Sequence, residues 1–274
     1  MRRRIGLIAG AGDVPRLVLA EVSARGWRAA VAGVRDAADP ELAGLADAFA
    51  WIAPQDVGGL VEFFRGAGVE TVYMAGKVDP RTALETTAAG PETSAVATPP
   101  GDRRAGPLLR ALINHLAGRG FAVGDPSPFF RRFLCPAGIL GRTAPAPGVL
   151  TDLAFGWPLA RRVADEEIGQ TLVVKDGVVV AVEGLEGTDR TILRAGELAG
   201  PGTVVLKVGR RRQDPRVDLP AVGLTTVRGL VAVRAAALCI EAGVVPFFQK
   251  EEALALSDAN GLAVIARPGE DRIP

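Results

Sequence analysis

The sequence predicts an α/β fold made of two α/β domains, the first containing a Rossmann-like parallel sheet. Three observations predict it. Short apolar runs alternate with helical segments, which is typical of a parallel sheet covered by helices. A length of 274 residues suits one large domain or two of ordinary size, and an apolar fraction of 48% is enough to form a sizeable core. A Pro/Gly-rich stretch has the composition of a linker. We therefore expect domains over residues 1–140 and 152–274, joined by a linker over 141–151.

The first domain begins as a strand, a glycine-rich turn and a helix. An apolar run over 5–9 predicts a buried strand, and the turn over 10–13 follows it. Pro15 suits the first turn of the next helix, where its missing N–H costs nothing. The pattern then predicts, in chain order, strand 27–34, helix 57–65, strand 69–75, a loop over 85–107 and helix 108–118.

The second domain contains the clearest hairpin signal. β-Branched runs over 171–174 and 178–182 flank Lys175-Asp176-Gly177, a typical hairpin turn. The other predicted elements are a helix over about 152–167, strand 204–208, a helix from about 226, strands near 239 and over 244–248, helix 251–259 and strand 262–266.

Charge and composition exclude several classes of protein. Thirty-two basic residues against thirty-one acidic ones leave a formal charge of +1, so we expect no nucleic-acid partner. The sequence contains a single histidine, His115, which excludes every metal site or catalytic triad that needs two histidines. No run approaches the roughly 20 apolar residues of a membrane span, and the N-terminal apolar run is too short for a signal peptide. We expect a cytoplasmic protein in which Cys135 and Cys239 are reduced core thiols.

The glycine-rich turn after the first strand is a candidate ligand site. Gly10, Gly12 and Asp13 lie where a strand meets a helix, and the N–H groups there favour an anion. The turn fails as a dinucleotide fingerprint because Pro15 occupies the position of the third glycine. The alternative is a tight turn in which Asp13 caps the helix.

Gly76 and Lys77 follow the predicted strand 69–75. Ligands of open α/β sheets bind outside the carboxyl ends of the strands, so Lys77 is well placed to meet a phosphate. A solvated surface lysine is equally compatible with the sequence.

The densest polar cluster follows the hairpin. Glu183, Gly187, Thr188 and Asp189 lie within seven residues, and oxygen ligands at this density suit Mg²⁺ or Mn²⁺ together with a substrate phosphate. The alternative is that Thr188 or Asp189 only caps the following helix.

A second polar segment follows the predicted strand 204–208. Lys207 and the run Arg210-Arg211-Arg212 precede Gln213, and the arginines suit a diphosphate or anionic lipid headgroups. Asp218 lies between Val217 and Leu219, so we expect its carboxylate to be paired, bound to a cation or shifted in pKa. From spacing alone, a turn-capping role for Asp218 is as plausible as a catalytic one.

In these residues and in motifs along the chain, the sequence resembles the UDP-2,3-diacylglucosamine pyrophosphatases of the type unrelated to calcineurin-like metallophosphoesterases. The resemblance covers nearly the whole chain and is most specific over 152–223. The matching motifs lie at 6–10, 75–78, 152–156, 168–170, 173–179, 181–183, 186–189, 207–208, 213–214, 218–223 and 241–243.

The resemblance implies that the two domains hold a glycolipid in a cleft between them, and that the C-terminal domain is catalytic. It implies that water attacks the α-phosphorus of UDP-2,3-diacylglucosamine, giving UMP and 2,3-diacylglucosamine 1-phosphate (lipid X) for lipid A synthesis. It also implies a need for Mg²⁺ or Mn²⁺ and places the essential aspartate at Asp218. Peripheral contact with the inner membrane and a homodimer are both compatible with it.

From this resemblance and the motifs together we expect three sets of residues. The catalytic residues are Asp218, Asp189 and Lys207, and the metal ligands are Asp218, Asp189 and Glu183. The substrate-binding residues are Gly10, Gly12, Asp13, Gly76, Lys77, Gly187, Thr188 and Gln213.

Two other functions stay open. The family usually has two adjacent aspartates where this chain has Asp102-Arg103, which leaves room for a glycolipid carrier without turnover. The pattern of the first domain would also suit a nucleotide-dependent oxidoreductase, although the missing third glycine argues against it.

Overall fold

The computed structural model describes residues 3–78, 96 and 105–269. Its contacts divide the chain into two compact units. The first unit comprises Met1–Phe129 and Asp214–Asp218, and the second comprises Phe130–Gln213 and Leu219–Pro274. Most of the predicted loop 85–107, including Asp102 and Arg103, lies outside the described residues.

The first unit contains a sheet of five parallel strands in the order β3-β2-β1-β4-β5. This is the order found in doubly wound α/β sheets. The parallel sheet predicted from the sequence is therefore confirmed. The strands are β1 (Arg4–Ala9), β2 (Arg28–Val34), β3 (Ala48–Ile52), β4 (Thr71–Ala75) and β5 (Ala122–Val123).

Helices pack against this sheet through apolar side chains. Phe64 is fully buried and belongs to one core cluster with Val72, Leu116 and Phe121. The helices of this part of the chain are α1 (Val14–Ala24), a 3-10 helix (Pro40–Leu45), α2 (Val57–Gly66), α3 (Ala105–Gly118) and α4 (Ser127–Phe130). Pro15 lies in the first turn of α1, as predicted.

The second unit contains a mixed sheet of six strands in the order β6-β11-β10-β9-β7-β8. The central strands β9, β10 and β11 are parallel, whereas β7 runs antiparallel to β8 and β9, and β6 antiparallel to β11. The strands are β6 (Gly138–Ile139), β7 (Thr171–Lys175), β8 (Val178–Val182), β9 (Val204–Lys207), β10 (Ala237–Glu241) and β11 (Ala263–Arg267).

Both faces of the central part of the second sheet are buried, and successive residues of β7 enter different apolar cores. Leu172 packs with Trp157 in one cluster, and its neighbour Val173 packs with Ile192 and Leu230 in the other. The helices are α5 (Pro147–Asp165), α6 (Thr188–Ala199), α7 (Leu224–Ala232) and α8 (Lys250–Ala259), with a short 3-10 helix at Arg131–Phe133. The prediction of two α/β domains is confirmed.

The predicted hairpin is present as β7 and β8. Asp176 and Gly177 have φ angles of 51° and 73°, the left-handed conformation that a two-residue hairpin turn needs. The buried Asp152 carboxylate accepts hydrogen bonds from both of their N–H groups, at 2.9 and 2.7 Å. α5 therefore holds the hairpin turn in place.

One predicted strand is wrong. Residues 244–248 form no strand, only isolated bridges of Pro246 with Leu134 and of Phe247 with Val222. Pro246 has no N–H to donate to a ladder, which prevents regular pairing of this apolar run.

Within the described ranges, no helix is long and apolar enough to cross a bilayer.

Candidate functional site

In the first unit the main chains of the two predicted ligand loops pair directly. Ala11 and Lys77 exchange two backbone hydrogen bonds of 2.7 and 2.9 Å, and Gly10 N–H donates to the Ala75 carbonyl at 2.8 Å. A Cβ on Gly10 would lie 2.5 Å from the Lys77 carbonyl oxygen, and one on Gly76 would lie 2.7 Å from the Gly10 carbonyl carbon. Gly10 and Gly76 are therefore required by the close approach of two loops at the carboxyl ends of β1 and β4.

Gly12 differs from its neighbours. Its φ is 90°, and a Cβ there would meet no atom of the described residues within 4 Å. The space beside Gly12 is open, as the expected contact with a ligand requires. Asp13 is the N-cap residue of α1, as the alternative interpretation expects, but its side chain makes no capping hydrogen bond.

In the second unit Lys207 lies at the centre of a buried polar cluster. The residue is 5% exposed, and its Nζ donates to Thr188 Oγ1 at 2.6 Å, Thr171 Oγ1 at 3.0 Å and Glu183 Oε2 at 3.1 Å. The pairing of β7 with β9 places Thr171 opposite Lys207. An ammonium group has three N–H donors, so protein oxygens use all of them in this conformation.

Glu183 balances the charge of Lys207. Its Oε1 accepts from the Thr188 hydroxyl at 2.9 Å, and its Oε2 also accepts from the Gln170 N–H at 3.1 Å. Burial raises the pKa of the Glu183 carboxyl, but the Lys207 charge and the hydrogen bonds to the carboxylate outweigh burial, and the net pKa is lowered. Glu183 is therefore held as a carboxylate, and Lys207 is its counter-ion.

Gly187, Thr188 and Asp189 lie at the start of α6. Gly187 precedes the helix with a φ of 79°, and Thr188 points into the Lys207 cluster. The Asp189 carboxylate accepts from the Thr226 hydroxyl at 3.3 Å. Neither Thr188 nor Asp189 caps the helix, so the alternative capping role predicted for them is wrong.

The loop that follows β9 contains the three arginines and Gln213. Arg210 N–H donates to Gln213 Oε1 at 3.0 Å, and Arg211 pairs with Asp165 at 3.2 Å. The Arg212 side chain is exposed. Arg211 is exposed as well, whereas Arg210 is half-buried, so Arg211 and Arg212 are the arginines that an anion can reach.

Asp218 ends a compact turn over 214–218 that belongs to the first unit. Asp218 N–H donates to the Asp214 carbonyl at 3.3 Å. The Asp214 carboxylate accepts from the Arg216 guanidinium at 2.9 and 2.8 Å, and this partner lowers the pKa of Asp214. Arg216 is thus committed to the turn, and Asp218 is half-buried at its end.

The expected metal ligands do not form one cluster within either unit. Glu183 and Asp189 belong to the second unit and Asp218 to the first. Among the residues that the structure describes, no group of three His, Cys, Asp or Glu side chains is close enough to hold one ion. The oxygens of Glu183 are already occupied by protein donors, an arrangement that does not suit a metal ligand. The shared metal site therefore stays a prediction.

Sequence reasoning missed the partners that hold these residues. Thr171 is predicted only as part of a strand, and its contact with Lys207 depends on strand register. The ion pair of Arg161 with Glu241, at 2.8 Å, was also missed. An acidic residue at the end of the apolar strand β10 was the available signal for it, because a buried carboxylate needs a partner.

Two solved structures are remotely similar to this chain. UDP-glucose 4-epimerase of Thermus thermophilus in complex with NAD is 14% identical, with 98% of this chain and 87% of that chain covered and a TM-score of 0.34. CobK precorrin-6A reductase is 15% identical, with 99% and 90% covered and a TM-score of 0.30. Neither similarity is close enough to indicate a fold or a function.

Sequence comparison is far more specific. A curated protein of Caulobacter vibrioides, named UDP-2,3-diacylglucosamine pyrophosphatase LpxI, is 31% identical over 98% of this chain and 99% of its own length. The family model of the LpxI N-terminal domain matches residues 4–133, and that of the LpxI C-terminal domain matches residues 136–265. Because the two models follow one another along nearly the whole chain, the chain belongs to the LpxI family.

Proposed function

We propose that this chain hydrolyses UDP-2,3-diacylglucosamine to UMP and 2,3-diacylglucosamine 1-phosphate in lipid A biosynthesis. The observation that carries the proposal is the full-length similarity to the Caulobacter pyrophosphatase. The chain matches 99% of that relative's length, so neither half of the relative is missing here.

The reaction breaks the bond between the α-phosphorus and the bridging oxygen of the diphosphate. Water supplies the new P–O bond of UMP, and the bridging oxygen leaves with the sugar 1-phosphate. Phosphoryl transfer mainly needs positioning and neutralisation of charge. We assign to Asp218 the acceptance of a proton from the attacking water, because a half-buried carboxylate at the end of a hydrogen-bonded turn can act as a general base.

Lys207 and Glu183 belong to a buried polar cluster of the second unit. The Lys207 ammonium is buried and fully hydrogen-bonded, which favours a role in holding Glu183 and Thr188 over direct contact with the diphosphate. Thr188 and Asp189 begin α6, so the Lys207 cluster fixes the start of that helix. Lys77 and Arg212 are exposed cations that can meet phosphate oxygens, and Gly12 offers open backbone.

We further propose that hydrolysis depends on Mg²⁺ or Mn²⁺. Mg²⁺ commonly binds through one or two carboxylates plus the phosphates of the substrate, so it does not need a cluster of three acidic side chains. Asp218 and Asp189 are each a candidate carboxylate ligand, and bound metal would neutralise phosphate charge. Activity should disappear in excess EDTA and return with either ion.

We also propose that the chain acts in the cytoplasm in peripheral contact with the inner membrane, because its substrate carries two acyl chains. Sedimentation with vesicles that contain phosphatidylglycerol tests this contact. A homodimer is compatible with the proposal, and light scattering after gel filtration tests it.

The function itself is tested by incubating the protein with UDP-2,3-diacylglucosamine in ¹⁸O-water. We expect release of UMP that contains one ¹⁸O atom and of unlabelled sugar 1-phosphate. A glycolipid carrier would bind the substrate and release no UMP. An oxidoreductase would instead bind NAD(P)H in a fluorescence titration, a result that the absence of a third glycine near residue 15 argues against.

A further inference from the structure

Arg161 and Glu241 form the most deeply buried ion pair among the described residues. Arg161 Nη2 lies 2.8 Å from Glu241 Oε1, and the two side chains are 4% and 0% exposed. Arg161 Nη1 donates to Glu241 Oε2 at 3.0 Å, whereas the Nη2 contact is an ion contact without hydrogen-bond geometry. The pair joins α5 to the end of β10.

The same two side chains bind both polar groups of one glycine. Glu241 Oε2 accepts from the Gly209 N–H at 2.8 Å, and Arg161 Nη1 donates to the Gly209 carbonyl. Gly209 lies two residues after β9 ends at Lys207 and opens the loop Gly209–Gln213, which contains the three arginines. The backbone direction at the start of this loop is thus set by a buried pair of charges.

The backbone at Gly269 packs against the Arg161–Glu241 pair. A Cβ on Gly269 would lie 2.3 Å from Glu241 Oε1 and 3.1 Å from Arg161 Nη2. The backbone near Gly269 therefore packs directly on the pair and limits how it can move.

A buried ion pair is not an efficient way to gain stability, because the cost of removing both charges from water offsets their attraction. Two apolar side chains of similar size would fill the same space about as well. The particular property of Arg161 and Glu241 is that they hydrogen-bond a peptide group, which apolar side chains cannot do.

The rest of the loop is bound to the same part of the unit. Arg211 N–H donates to Asp165 Oδ1 at 2.8 Å, at the C-terminal end of α5, and Arg210 N–H donates to Gln213. The segment after the loop is the turn that ends in Asp218.

We propose that Arg161 and Glu241 are positioning residues that order the loop Gly209–Gln213, and through it the placement of Arg212. The link to catalysis rests on the proposed function. The ordering of the loop does not.

The loop contains its own reporter, because trypsin cleaves after Arg210, Arg211 and Arg212 only when the backbone there opens. The test compares the wild-type protein with the double variant Arg161→Met/Glu241→Leu. We expect the double variant to unfold within a few degrees of the wild type. The proteins are digested under native conditions, and mass spectrometry measures the rate of cleavage after residues 210–212. We expect this cleavage to be at least tenfold faster in the double variant than in the wild type.

A matched control is Arg142→Met/Asp258→Leu, which removes an ion pair of the same unit whose arginine side chain is 88% exposed. This control should leave the cleavage rate after residues 210–212 unchanged. If the apolar double variant does not fold, Arg161→Lys replaces it. Arg161→Lys keeps the charge but not the forked donor, and it should speed cleavage after residues 210–212 at least threefold. Cleavage at the wild-type rate in a folded variant of either kind would overturn the proposal.

The same variants are then assayed for release of UMP. We expect kcat to fall at least tenfold in the double variant while the unfolding temperature is kept, a combination that a purely structural role would not produce. Wild-type kcat in a variant with an opened loop would overturn the catalytic part. If the wild-type protein itself releases no UMP, the proposed function fails, and the cleavage rates still decide whether the pair orders the loop.

Discussion

Lys207 and Glu183 form an ion pair inside the second unit, with Nζ 3.1 Å from Oε2 and side chains that are 6% and 12% exposed. The pair joins the end of β9 to the segment that leads into α6. Because Thr171 and Thr188 complete the coordination of the ammonium, the pair belongs to a network and is not an isolated surface contact.

Loss of one partner of this pair should be costly. Lys207→Met leaves the Glu183 carboxylate buried without its counter-ion, for which a loss of about 3–5 kcal/mol in the free energy of unfolding is typical. Urea denaturation measures it. Lys175→Met is the matched control, since Lys175 is only half-buried and donates to a single carbonyl, that of Ala199, at 2.7 Å. This control should cost about 1 kcal/mol, and an equal loss in both variants would contradict the assigned network.

The contribution of Glu183 should depend on pH in a defined direction. Its pKa is lowered in the folded protein, so ionised Glu183 stabilises the fold above its unfolded pKa, about 4.3. That stabilisation is lost as the pH falls through the lower folded pKa. The difference in unfolding free energy between wild type and Glu183→Gln should therefore be full at pH 7.

The same difference should shrink as the pH falls below about 4.3. Urea denaturation of both proteins between pH 7 and pH 3 measures it. A difference that stays constant over this range would contradict the lowered pKa of Glu183.

Gly10 and Gly12 should respond differently to the same substitution. Gly10→Ala places a Cβ 2.5 Å from the Lys77 carbonyl oxygen, a contact that two paired backbones cannot relieve cheaply. We expect a loss of about 2–4 kcal/mol in unfolding free energy. The added Cβ of Gly12→Ala meets no atom in the described part of the chain, so we expect only the cost of a positive φ, about 1–2 kcal/mol. Thermal unfolding of the two variants decides the order, and a greater loss in Gly12→Ala would refute the close-approach explanation.

The elements that the sequence predicts well are those set by neighbouring residues. Asp176 and Gly177 specify the β7–β8 hairpin locally, and Pro15 suits the first turn of α1. The apolar run 244–248 misled because its Val and Phe residues favour a strand, whereas Pro246 interrupts the pairing. The sequence did not predict β3, because this strand is defined by its pairing with β2 and not by a local pattern.

Part of the candidate site could also be predicted from the sequence. Glu183, Thr188 and Lys207 were selected from the sequence, and the structure brings them into direct contact. Their burial could not be predicted, because it depends on the register that places Thr171 opposite Lys207. The Arg161–Glu241 pair joins residues 80 positions apart, so the sequence signals only that the carboxylate of Glu241 needs a partner and not which residue that partner is.

The two cysteine thiols should be unreactive in the native protein. Burial raises the pKa of Cys239 to about 12, and burial likewise raises the pKa of Cys135. At pH 8 almost no thiolate is present to attack a reagent. Ellman's reagent should therefore label neither thiol in the folded protein and both after denaturation. Rapid labelling of the native protein would contradict the burial of these side chains.

The central claim is that Asp218 accepts a proton from the attacking water. Asp218→Asn keeps the size of the side chain and removes its basicity, so release of UMP from UDP-2,3-diacylglucosamine should fall by about 100-fold or more. The unfolding temperature and glycolipid binding should be retained. Asp176→Asn is the control, because it changes an exposed aspartate in a left-handed turn position that asparagine tolerates. The most direct measurement is kcat for UMP release by these two variants: the account predicts a loss in Asp218→Asn alone, and near wild-type turnover of Asp218→Asn would contradict it.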